Sequence, residues 1–197
     1  VETRYGKHKG NYRVIDALAT LAFDYPPRAP FFRNELKEFL HLQQEAHIDL
    51  TTAKGSYAGA MGFPQFISSS YRKFAVDFDA DQRIDLIDNP TDAIGSVASY
   101  FKAHGWQDGA PVVSLARYMG NEQDEISLAG WVNQDLEPVH TVGDFRKVGL
   151  VPDQEVADNL KATALKLEGE DGIEYWLGLN NFYVITRYNR SPLYALS

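Results

Sequence analysis

The sequence predicts an α+β fold: a mostly helical core, a regular acidic loop within it, and a small β-rich lobe inserted toward the C-terminal end. Three observations carry this. Apolar residues recur at helical spacing in three segments before residue 105, aspartates alternate through residues 77–88, and after Trp106 the pattern turns to short alternating stretches. At 197 residues, with 44% hydrophobic and 13% aromatic side chains, the chain can bury a proper core without staples.

The first helix is predicted from Val14, Ile15, Leu18, Leu21 and Ala22, and it stops before Pro26-Pro27. Pro30 opens a second, with Phe32, Leu36, Phe39 and Leu40 on the apolar stripe and Glu35, Lys37 and Glu38 off it. The third runs over residues 90–104, with Ala93, Ile94, Val97, Ala98 and Phe101 inward and Gly105 placed for a left-handed cap. Residues 54–70, rich in glycine and serine, read as a shaped loop leading into a short helix from Pro64. Residues 162–167 and 173–177, separated by Glu168-Gly169-Glu170-Asp171-Gly172, read as a hairpin. The expected division is a core over 1–107, a β-rich lobe over 108–179 and a return to the core over 180–197.

A formal net charge of -8 and no Lys/Arg-dense face argue against nucleic acid, whose binding needs many phosphates neutralised. The absence of cysteine excludes disulfides, thiolate metal sites and cysteine nucleophiles. No run approaches the roughly 20 apolar residues of a membrane helix. The chain opens on Val1 and stops in the apolar run Tyr194-Ala195-Leu196-Ser197, which leads us to expect an excised fragment.

Residues 77–88 place oxygen side chains at loop positions 1, 3, 5, 9 and 12, with a backbone carbonyl at position 7 and apolar Ile84 at position 8. This is EF-hand spacing, and it predicts a structural calcium site built from Asp77, Asp79, Asp81, the Arg83 carbonyl and Asp88. Gln82 stands where the sharp turn normally uses glycine, and Asp88 where a glutamate normally binds with both oxygens, so modest affinity is expected. The alternative is a solvated acidic turn.

Gly55-Ser56-Tyr57-Ala58-Gly59-Ala60-Met61-Gly62-Phe63-Pro64-Gln65-Phe66 has two readings. Its small residues would let a flat ligand approach the backbone, with Ser56 and Gln65 as polar handles, or they would serve a tight turn packed on a helix. Tyr188-Asn189-Arg190 with Tyr194 suits sugar stacking, and tyrosines are equally common at core edges. By pattern alone, Glu2 is one acidic residue among many.

Together, Glu2-Thr3-Arg4-Tyr5-Gly6, Asp16-Ala17-Leu18-Ala19-Thr20-Leu21, residues 55–66, the acidic loop, Asp92-Ala93-Ile94-Gly95-Ser96-Val97, His104-Gly105-Trp106 and Arg187-Tyr188-Asn189 resemble the lytic transglycosylase B family, glycoside hydrolase family 103. The resemblance runs in order over nearly the whole chain and is weakest over residues 107–172. It implies a lysozyme-like α+β core with a calcium loop, acting on peptidoglycan glycan strands in the periplasm of a Gram-negative bacterium, soluble or lipid-anchored. It makes Glu2 the catalytic carboxylate, Ser56 the residue holding the substrate's N-acetyl group, and Gln65, Tyr100, Tyr188, Asn189 and Tyr194 groove residues. The departures are Gln82, Pro64 in place of glycine, and Arg190.

The implied mechanism needs one carboxylate where ordinary glycosidases use two. Protonated Glu2 donates to the oxygen between N-acetylmuramic acid and N-acetylglucosamine, while the acetamido oxygen supports the cationic centre. Ionised Glu2 then takes the proton of the muramic 6-hydroxyl as that oxygen closes on C1. Glu2 must therefore start neutral, held above the usual carboxylate range by apolar neighbours such as Met61. The alternatives are a hydrolytic muramidase on the same fold and a non-catalytic, calcium-dependent glycan-binding module.

Overall fold

The computed structural model describes residues 3, 4 and 6–197, in two compact units, Val1–Ala103 and His104–Ser197. Glu2, the predicted acid, lies outside the described residues. Among the described residues no helix is long and apolar enough to cross a membrane.

The first unit is helical around one short ladder. Strand β1 (Tyr12–Arg13) runs into helix α1 (Val14–Phe23), followed by α2 (Ala29–Glu45), β2 (Lys54–Gly55), α3 (Ser68–Phe74) and α4 (Pro90–Ala103). Strands β1 and β2 pair antiparallel, with Tyr12 opposite Gly55. Helix α1 buries Val14, Leu18 and Ala22, as its spacing predicts, and ends ahead of the two prolines.

The faces of α2 and α4 differ from the predicted ones, each because backbone outside the helix needs an acceptor. Helix α2 buries Phe32, Glu35, Phe39 and Leu42, while Leu40 is 50% exposed. Glu35, 2% exposed, accepts the Ser69 N–H at 2.9 Å and so satisfies one of the free amides at the start of α3. Helix α4 buries Asp92, Ala93, Gly95, Ser96 and Tyr100, and Ile94 stands 69% exposed. Gly105 does take the left-handed conformation, with φ +89°. The helix expected from Pro64 begins at Ser68, because Met61 and Phe66 exchange backbone hydrogen bonds and close residues 62–65 into a turn.

The second unit is built on a five-stranded antiparallel sheet in the order β4-β6-β7-β3-β5. In chain order its elements are β3 (Val113–Tyr118), α5 (Glu122–Ala129), β4 (His140–Thr141), α6 (Val142–Lys147), β5 (Leu150–Pro152), β6 (Lys161–Gly169), β7 (Gly172–Gly178), α7 (Asn180–Tyr188) and α8 (Pro192–Leu196). The predicted hairpin is β6–β7, with Thr163 opposite Gly178 and Gly169 opposite Gly172, so Glu170-Asp171 make its turn. Ala116, Ala162, Ala164 and Leu177 from the sheet form one core with Leu128 of α5 and Val142 and Phe145 of α6. Capping boxes at Asn121 and Thr141 start these two helices. The Asp144 carboxyl is held far below the usual carboxylate range by hydrogen bonds from Thr141 and Lys147.

Candidate functional site

The acidic loop closes on its own aspartates. Asp77 accepts the N–H groups of Asp81 (3.1 Å) and Gln82 (2.8 Å), and Asp81 accepts that of Arg83 (2.8 Å). Ala80 and Gln82, loop positions 4 and 6, sit at φ +61° and +72°. Gln82 thus adopts the left-handed backbone that favours glycine, at a cost of about 1 kcal/mol.

The third carboxylate in reach is not the expected one. Oxygens of Asp77, Asp79 and Asp92 lie within 4.8 Å of one another. Asp88 instead pairs with the Lys9 ammonium at 3.3 Å, its side chain 80% exposed. Asp92, wholly buried in the first turn of α4, accepts the Phe78 N–H with one oxygen (2.8 Å) and the Asp85 N–H with the other (2.9 Å). One turn on, buried Ser96 accepts the Val76 N–H at 2.9 Å. Between them the Phe78 ring lies over Gly95, where a Cβ would stand 2.4 Å from Cγ. The motif of residues 92–97 therefore holds both ends of the acidic loop. Sequence reasoning missed Asp92; an acid in the first turn of a helix directly after the loop was the available signal.

Tyr71 of α3 clamps the loop's exit. Its hydroxyl accepts the Leu86 N–H (3.1 Å) and donates to the Ile84 carbonyl (3.3 Å). Burial pushes its pKa up to about 12, so it stays a neutral donor and acceptor through the physiological range.

The glycine-rich loop leans on protein. Gly59 lies against Leu18 and Gly62 against the Leu86 carbonyl, each at positive φ and too close for a Cβ. This favours the packed-turn reading for the glycines, yet the loop still presents two oriented polar groups. The Ser56 hydroxyl oxygen accepts from the Ala58 and Ala60 N–H groups (3.2 and 3.1 Å), which leaves its O–H to donate. Gln65, at φ +53°, donates through Nε2 to the Lys9 and Gly62 carbonyls (3.2 and 2.9 Å), which leaves Oε1 to accept. Met61 is fully buried beneath this loop's backbone pairing. The loop therefore carries one available donor, on Ser56, and one available acceptor, on Gln65.

Tyr100 is 9% exposed and belongs to an aromatic core, its ring 4.8 Å from Phe74 and 5.8 Å from Phe66. A mostly apolar cavity of about 550 Å³ opens between Thr3, Phe63, Pro64 and the α4 residues Pro90, Ala93, Ile94 and Val97. In the second unit, Tyr188 and Tyr194 stack at 6.5 Å with their planes 11° apart. Asn189 between them accepts the Ser191 N–H at 3.1 Å and fixes the turn into α8.

These features define an α+β protein whose helical unit carries a packed glycine-rich loop tied through Phe63 and Leu86 to an acidic turn. All 197 residues match the Transglycosylase SLT domain family, and the chain belongs to it. It is 45% identical over its whole length to the membrane-bound lytic murein transglycosylase B of Escherichia coli K12, of which it spans 52%. Over 99% of its length it superposes on soluble lytic transglycosylase SltB1 from Pseudomonas aeruginosa, with a TM-score of 0.91 and 54% identity, covering 63% of that chain. On the E. coli lytic transglycosylase Slt35 in complex with calcium the TM-score is 0.87 at 45% identity, covering 59% of that chain.

Proposed function

We propose that this chain is the catalytic core of a lytic transglycosylase that cleaves the β-1,4 bond between N-acetylmuramic acid and N-acetylglucosamine in peptidoglycan, leaving a 1,6-anhydro-muramic end. The observation that carries this is the unbroken likeness to lytic transglycosylases over the whole chain. The Ser56 donor and Gln65 acceptor support it, since the substrate's acetamido group is the amide they would meet.

In this reading Glu2 is the acid and then the base. The Ser56 hydroxyl donates to the acetamido oxygen and turns it toward C1 as the leaving oxygen takes the Glu2 proton. The same carboxylate then accepts the 6-hydroxyl proton. Because that hydroxyl is tethered to the sugar under attack, it has a large entropic advantage over water. Gln65, Tyr100, Tyr188, Asn189 and Tyr194 complete the proposed glycan contacts. Such a substrate lies outside the cytoplasmic membrane, which supports a periplasmic location. Digestion of purified peptidoglycan followed by mass spectrometry tests the reading: the expected product ends are one water lighter than reducing ends. Reducing ends would establish a hydrolytic muramidase, and intact strands with bound protein a glycan-binding module.

We also propose that the acidic loop binds calcium in a structural role. Asp77, Asp79, Asp81 and the Arg83 carbonyl supply hard oxygens, as such a cation requires, and Asp92 replaces Asp88 as the closing carboxylate. Each Asp92 oxygen keeps a second lone pair beyond its backbone hydrogen bond. Calcium at about 100 times its dissociation constant is expected to stabilise the fold by about 2.7 kcal/mol, read as a rise in thermal midpoint that Asp77→Ala removes. An unchanged midpoint in the parent protein would leave the loop as a self-contained turn.

A further inference from the structure

Thr3 is 3% exposed although it stands at the edge of the chain, and its hydroxyl is used in both directions. It donates to the Phe63 carbonyl at 3.3 Å and accepts the Gly6 N–H at 2.9 Å, while its own carbonyl accepts the His8 N–H at 2.9 Å. Phe63 has further contacts. Its N–H donates to the Leu86 carbonyl at 2.9 Å, and the Lys9 ammonium lies 4.5 Å from the centre of its ring. Gly6, at φ +86°, meets that ring so closely that a Cβ would stand 2.3 Å from Cε1. Leu86 in turn donates its N–H to the Tyr71 hydroxyl.

We propose that Thr3 is a positioning residue for the transglycosylation step: its buried hydroxyl fastens the segment that carries the acid to the loop that carries Ser56 and Gln65. This rests on the reading of Glu2 as the acid. Consecutive Cα atoms are about 3.8 Å apart, so an anchor at Thr3 restrains its neighbour directly. The reaction needs the acid's proton and the acetamido oxygen in place at the same moment, and a shift of about 1 Å in such a geometry costs up to about 10²-fold in rate. Thr3 and Phe63 also line a mostly apolar cavity, and apolar surroundings favour the neutral form of a carboxyl. On this proposal, loss of the hydroxyl link loosens the segment that carries the acid, and access of water would favour the ionised form. Because the acid must be protonated to act, the basic limb of the pH profile then moves to lower pH.

The test compares Thr3→Ser, Thr3→Ala and Thr3→Val, measuring kcat, KM, the pH profile of kcat/KM and the thermal midpoint on soluble glycan. Ser and Ala both lose the methyl and differ in the hydroxyl, so that pair isolates the hydrogen bond even if Val folds poorly. The Ser variant is expected within about threefold of the parent. Ala and Val are expected to lose kcat by about 10- to 50-fold with KM nearly unchanged, and to show the basic limb at lower pH. Ser falling as far as Ala would overturn the proposal, as would an unmoved limb with kcat lost only in proportion to folded protein. A Glu2→Gln variant that keeps its turnover would instead overturn the assignment of the acid.

Discussion

Glu2→Gln is expected to lower turnover on peptidoglycan by about 10³- to 10⁴-fold while leaving the fold and glycan binding intact. Glutamine matches glutamate in size and in its carbonyl acceptor but has no proton to release, and a positioned acid/base contributes about 10²- to 10⁴-fold in general. The loss belongs at the upper end because one carboxylate serves two successive proton transfers, with no second carboxylate to share them. Product release followed by mass spectrometry, beside a glycan co-sedimentation assay, separates the two effects. Equal loss of binding and turnover would mean that Glu2 holds substrate without moving a proton.

Asp92→Ala is expected to cause a larger loss of stability than any single change within the acidic loop it holds, about 3 kcal/mol, or on the order of 10 °C in thermal midpoint. The substitution strands the Phe78 and Asp85 N–H groups, which donate to a wholly buried carboxylate, and an orphaned buried donor costs about 1–3 kcal/mol. Asp88→Ala is the control, since it removes only an exposed pairing with Lys9 worth about 0–1 kcal/mol. Calcium stabilisation should survive the Asp88 change and vanish with the Asp92 change. Thermal denaturation with and without calcium checks both statements. A reversal of that order would return Asp88 to the site.

Local sequence was a good guide wherever one segment decides its own conformation. The α1 stripe, the β6–β7 hairpin with its two-residue turn, the left-handed Gly105 and the alternating loop aspartates all follow from nearest neighbours in the chain. It was a poor guide to the faces of α2 and α4. Glu35 and Asp92 look like solvent-facing residues by polarity, and both are buried because backbone outside their own helix brings N–H groups that their carboxylates accept. For the glycine-rich loop the sequence left a ligand-facing surface and a packed turn both open, since Leu18 and Leu86, which crowd its glycines, come from either side of it in sequence.

The sequence by itself determined the fold class, the family and the kinds of group available: one motif glutamate, a serine and a glutamine in a tight loop, and a run of hard oxygens. Those depend on residue type and spacing, which periodicity and turn chemistry expose directly. Only the tertiary structure decided which groups are oriented and how. It turns the Ser56 hydroxyl into a donor and Gln65 into an acceptor, brings Asp92 rather than Asp88 to Asp77 and Asp79, and ties Thr3 to Phe63 across 60 residues. The reason is that residue spacing does not fix how a polar side chain is turned: Ser56 is oriented by N–H groups two and four residues on, Gln65 by the carbonyls of Gly62 and of remote Lys9, and Thr3 by Phe63, each taking the partner that the fold delivers.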